Sequence, residues 1–204
     1  MIHIVTRLGR FLATAFLVIP LLCACAASAD TPPTQIVYRF DDHRYLTLTG
    51  HRCEGAISYV DTKLGIRTQY IEQYGRVFLP PISHADDDGD YIFIPYSDAS
   101  GIAVSKDHGK SFKSARWVGT RPYVEEIKKV VIVNRQAFIE LKDGRLFMTS
   151  KPFGKGWGMM VIDPVNHLPT TVFSERPEFQ DLPTKIPEVK DYRGWTQMRC
   201  DPDL

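Results

Sequence analysis

The residues with the most chemical potential in this chain are Asp41, Asp42, His43 and Arg44, four polar side chains in a row. Two carboxylates beside an imidazole are the groups a general acid–base pair is made from. If this run starts a strand, its neighbours point to alternating faces and cannot meet on one substrate. The sequence therefore favours a network that orients the first strands over a catalytic centre. A second cluster, Asp86, Asp87, Asp88 and Asp90 with His84, offers the hard oxygen ligands calcium takes. It lacks the alternation and distal Glu of an EF-hand loop. The expected role is an acidic turn, with these four carboxylates as candidates for contact with a basic partner surface. No G-x-S-x-G elbow is present, and none of the six histidines stands in an H-E-x-x-H pattern. No metal and no cofactor is expected.

Cysteine placement points to export. Arg7 and Arg10 precede an apolar run, Phe11 to Leu22, which is too short to span a bilayer in comfort. Leu22-Cys23-Ala24-Cys25 fits a lipoprotein box, with Cys25 the lipidated residue. Ala27-Ser28-Ala29 fits ordinary signal-peptide cleavage. The expected division is a leader over 1–25, an extended tether over 26–35 held out of helix by Pro32 and Pro33, and one domain over 36–204. Ala26 follows Cys25, so a lipidated chain is expected at the outer membrane facing the periplasm. An unlipidated one would be soluble in the periplasm. Cys53 and Cys200 are the remaining thiols. In an exported chain they suggest one disulfide, the other reading being two unpaired buried thiols.

The charge balance excludes other classes. The chain has 25 basic and 24 acidic residues. Arg7 and Arg10 leave with the leader, so 25 basic residues become 23 against 24 acidic, a net of −1. Neither a nucleic-acid stripe nor a polybasic membrane patch is expected.

The elements that must position these groups read as strands. Tyr45, Thr47 and Thr49 alternate with Leu46 and Leu48, a period-2 pattern. A turn at His51–Gly55 leads to a return strand over Ala56 to Val60. Asp61–Gly65 turns the chain again into a strand from Ile66. Further strands are expected at 75–79, 91–96, 101–105, 128–133, 137–141, 145–149 and 156–162, with a short helix over Tyr123–Lys129. Ser105-Lys106-Asp107-His108-Gly109-Lys110-Ser111-Phe112 fits the Asp-box turn of β-propellers, with Ser105, Asp107, Gly109, Ser111 and Phe112 as its structural residues. Tyr45, Tyr91 and Ala137 fall at equal intervals, near the length of a propeller blade. The fold expected is all-β: antiparallel meanders in a small or partial propeller-like domain, closed by an irregular Pro-rich C-terminal wrap.

The run from Val37 to Thr68 carries a family resemblance. Its Asp41-Asp42-His43-Arg44 opening, Cys53-Glu54-Gly55 and the Tyr59…Asp61-Thr62…Gly65-Ile66-Arg67 sequence resemble the start of the mature domain in type VI secretion immunity proteins that neutralise lipase effectors, the Tli group. The resemblance implies a protein that binds a cognate lipase and catalyses nothing. Two rivals come from the residues alone. One is an exported sialidase-like enzyme, which would need to gather Arg44, Arg67, Arg116, Arg121 and Arg135. The other is a structural envelope lipoprotein.

Overall fold

Twelve strands form three separate sheets in a computed structural model that describes residues 31–74, 81–85, 89–96, 101–117, 121–149, 159–162 and 185–204. The chain divides after Thr31, and Pro32–Leu204 is one compact unit. The leader, Cys25, the strand expected at 75–79 and residues Asp86, Asp87 and Asp88 lie outside the described residues.

The first sheet is the meander expected from the sequence. It runs β1 (Thr34–Arg39), β2 (Arg44–His51), β3 (Glu54–Asp61), β4 (Ile66–Tyr74), each antiparallel to the last. β1 takes in Thr34 and Gln35, at the end of the stretch expected to be a tether. The prolines stop at Pro33, so nothing prevents Gln35 and Thr34 from pairing with Leu48 and Thr49. Arg52 and Cys53 turn β2 into β3 with positive φ at both positions, the backbone twist a two-residue hairpin needs.

A second sheet has the order β12-β11-β10-β9-β5. It comprises β5 (Ile82–Ala85), β9 (Ile127–Val133), β10 (Gln136–Leu141), β11 (Leu146–Thr149) and β12 (Met159–Ile162). β5 pairs parallel to β9, the one departure from antiparallel order among the described strands. The third sheet is β6 (Ile92–Pro95), β7 (Gly101–Ser105) and β8 (Lys113–Arg116). The fold is thus all-β, and no sheet closes on itself. The equal spacing of Tyr45, Tyr91 and Ala137 matches structure only in part. β2 and β10 are each second in an antiparallel run, whereas Tyr91 precedes β6, the edge of its own sheet. The helix expected over Tyr123–Lys129 shrinks to one 3-10 turn, Val124–Glu126. Ile127 to Lys129 join β9 instead, because the β-branched run continues into a ladder with β10.

One core joins all three sheets. Tyr38, Leu46, Leu48, Ile57 and Tyr59 from the first meet Ile92, Ile94 and Ile102 from the third and Ile132, Ile139 and Phe147 from the second. The opposite face of the second sheet is covered too, where Val131, Phe138, Leu146 and Met148 pack against Ile186 of the C-terminal segment. That double cover explains why β10 and β11 lack polar alternation.

The C-terminal segment makes good two bare edges. Trp195 and Arg199 donate backbone N–H bonds to Arg39 O and Val37 O on β1, both at 2.8 Å. Thr196 O accepts from Ile82 N–H of β5 at 2.7 Å. Gln35 exchanges two side-chain bonds with the Asp201 backbone. A disulfide between Cys53 and Cys200, Cα atoms 5.9 Å apart, fastens the segment to the β2–β3 turn. The expected irregular wrap is therefore an ordered seam. An unpaired strand edge invites aggregation, and this seam occupies two of them.

Candidate functional site

Asp41 to His43 form a bend joining β1 to β2, and only Arg44 belongs to a strand, as the first residue of β2. The premise that its side chains must diverge is therefore wrong. Asp41 Oδ1 accepts from the backbone N–H of His43 (2.9 Å) and Arg44 (2.7 Å), and Oδ2 accepts from Arg44 Nε at 2.6 Å. His43 Nδ1 is 3.1 Å from the same carboxylate. Burial alone would raise the Asp41 carboxyl. The bonds from the His43 N–H and from Arg44 outweigh it and hold the group below the usual carboxylate range. Asp41 thus acts as the turn's internal acceptor, and its ionised form is too well bonded to shuttle protons.

The β3–β4 turn is built the same way. Asp61 Oδ1 accepts from the N–H of Lys63 (2.9 Å) and Leu64 (3.0 Å). Thr62 N–H donates to His43 O at 3.0 Å and ties the two turns together. Between these turns, Gly89, His108 and the tail residues 190–193 lies a cleft of about 680 Å³. Tyr192 roots the tail wall, its hydroxyl bonded to the Tyr38 hydroxyl. Gly194 follows, and a Cβ there would stand 2.5 Å from both Arg39 O and Phe40 O. Only glycine lets the tail run so close to the end of β1.

His84 lines the cleft floor and is buried. Its Nε2 accepts from Phe93 N–H at 3.3 Å, the Phe40 ring packs edge-on against it, and Nδ1 has no partner. Burial, helped by the Arg44 charge, brings the imidazole from 6.5 down to about 3. Between those values the unfolded chain binds a proton that the folded chain refuses. Stability therefore rises with pH across this window and falls as pH drops below 6.5. Chemical unfolding should show a loss of about 2 kcal/mol between pH 7 and pH 5. A His84→Gln variant should show a flat profile over the same range, whatever its absolute stability. A wild-type profile that is already flat would refute this.

The other sequence candidates have definite places. Asp90 is held by Arg135 Nη2 (3.1 Å) and faces His108 Nε2 (3.5 Å). In the 105–112 turn, Ser105 Oγ bonds Asp107 Oδ1 and accepts from Gly109 N–H. Asp107 accepts from both the backbone and the hydroxyl of Ser111. Phe112 packs against Tyr59 and Tyr70. The arginines a sialidase-like site would gather are not brought to one pocket among those whose side chains are described. Arg44 alone of them lines the cleft, and Arg135 stacks on Tyr91 at the β9–β10 turn. Among the described residues no three of His, Cys, Asp or Glu are placed to hold a metal. No helix among them is long and apolar enough to cross a membrane.

The tail wall, Lys190 to Arg193, is what the sequence reading missed, since no local pattern links it to a turn 150 residues earlier. The Asp41 bend did leave a signal: an Asp whose carboxylate can accept from the N–H groups two and three residues on makes an Asx-type turn.

No curated protein sequence matches the chain. One family model does, described as "T6SS Tli3 immunity protein", over residues 30–141. That stretch is more than half of the 204 residues and includes both cleft turns, His84 and the 105–112 turn. An immunity protein acts by engaging a toxin and performs no turnover, in keeping with Asp41 and Asp61, whose carboxylates are spent on backbone N–H groups of their own turns. The chain belongs to the Tli3 family of type VI secretion immunity proteins.

Proposed function

We propose that this chain neutralises a lipase effector of type VI secretion by binding it in the periplasm. The family match over residues 30–141 carries the reading. The effector class rests on the resemblance of the Asp41–Thr68 run to lipase-neutralising immunity proteins. The compartment rests on the leader over 1–25. Cys25 is the proposed lipidation site, placing the domain at the outer membrane on a tether that ends at Pro33. Asp86, Asp87 and Asp88 are proposed contact residues. Asp90 has its own ion pairs and would contribute by fixing the end of that run.

Neutralisation one for one needs a dissociation constant on the order of nanomolar, through an interface of roughly 1,600 Å². Turns held by their own carboxylates, a bonded tail and a disulfide suit that demand, because little ordering is lost on docking. The test is to purify the chain with the lipase encoded beside it and follow ester hydrolysis. Equimolar protein should abolish turnover and co-elute with the enzyme. Unchanged turnover at molar excess would sink the reading.

A further inference from the structure

The cleft's charged groups fall into two sets. Asp41 and Arg44 neutralise each other, and Asp61 is engaged by backbone. Lys63, Lys190 and Arg193 line the same cleft, are exposed, and form no ion pair within the described residues. Their charge has no counterpart among the described residues. Beside them Leu64 is 53% exposed, one of three large apolar side chains so placed among the described residues. An exposed apolar side chain sharing a cleft with such charges on bonded turns has the anatomy of a protein-binding hot spot. Asp42 and Asp191 line the same cleft, so both signs of charge face it. A cleft lined by charges of both signs repels a simple anion such as a phosphate headgroup as well as attracting it. It suits a polypeptide that presents charges in a fixed order.

We infer that this cleft grips the effector, and that Lys63, Lys190 and Arg193 take carboxylates from an acidic loop of that protein, with Leu64 covered at the centre. This rests on the immunity reading above and locates its contact surface. The wall it assigns to Lys190 and Arg193 lies outside the stretch the family model covers. Part of the choice of partner is then made by the tail, which Tyr192 and Gly194 press against β1.

The experiment uses the whole exported chain and the purified neighbouring lipase. The variants are Lys63→Glu, Lys190→Glu and Arg193→Glu, singly and together, with Leu64→Arg. Lys142→Glu, on the exposed β10–β11 turn, is the control. Affinity and association rate are measured at low and high salt, and each variant's melting temperature is checked. The triple variant should bind at least about 100-fold more weakly and lose most of the salt dependence of its association rate, with melting unchanged. Leu64→Arg should weaken binding about 10-fold or more. Wild-type affinity in the triple and Leu64→Arg variants, while the wild type inhibits the lipase, overturns the cleft assignment and leaves immunity standing. An equal loss in Lys142→Glu overturns it too. If the wild type itself does not bind, both fall.

Discussion

A Cys200→Ser variant is expected to lose about 4 kcal/mol of folding stability. The bridge joins residues 147 positions apart, so it removes from the unfolded chain nearly all the freedom a single link can remove. Domains of this size are stable by about 5–15 kcal/mol, which makes the loss a large share of the total. The enthalpic side points the same way. Cys200 lies between Arg199, bonded to β1, and Asp201, bonded to Gln35, so releasing it lets the seam fray from its far end. Urea unfolding of the oxidised protein, with and without a thiol reductant, measures the effect. Cys53→Ser and the double variant should match the single one, since one bond is lost in each. A midpoint that does not move on reduction would contradict this.

The second large effect is expected from one added methyl. In Gly109→Ala the new Cβ would stand 2.2 and 2.3 Å from two ring carbons of Tyr59. Tyr59 cannot yield: it has no exposed surface and is wedged between Phe40 and Phe112. Gly109 also has φ of +84°, which an L-residue adopts only under strain. Overpacking and backbone strain together should remove about 3 kcal/mol. Gly144 is the matched control. Its φ is +90° and nothing lies within 4 Å of its missing Cβ. Gly144→Ala should therefore cost only about 1 kcal/mol, the conformational part. Equal losses in both variants would show that the Tyr59 contact contributes nothing.

The same 105–112 turn shows how far the sequence could be read. Its bonds are local, within four residues, so they depend on the spacing of Ser105, Asp107, Gly109 and Ser111 alone. The first sheet was legible for a like reason. The two turns between β2, β3 and β4 span a few residues and announce themselves, so register follows from neighbours along the chain. β5 was not legible. Ile82-Ser83-His84-Ala85 is too short to show a period, and its parallel partner β9 begins 45 positions later. His84 consequently read as one more member of an acidic turn, when pairing with β9 takes it into the core. The cleft failed to appear because two of its walls are turns and the third arrives from residue 190. Alternation of Leu46 and Leu48 with Thr47 pointed to one buried face. Thr47 is buried as well, and so is Ser58 opposite it on β3.

The seam has a consequence for biogenesis. β1 leaves the ribosome well before the residues that complete its edge. The two parts of the polypeptide must wait for each other, so the native sheet order cannot lock in until Trp195 to Cys200 have been made. A product truncated ahead of Trp195 would lose the bonds that Trp195, Thr196 and Arg199 make to β1 and β5. Quality-control proteases should clear it, and the cell would be left open to poisoning by its kin.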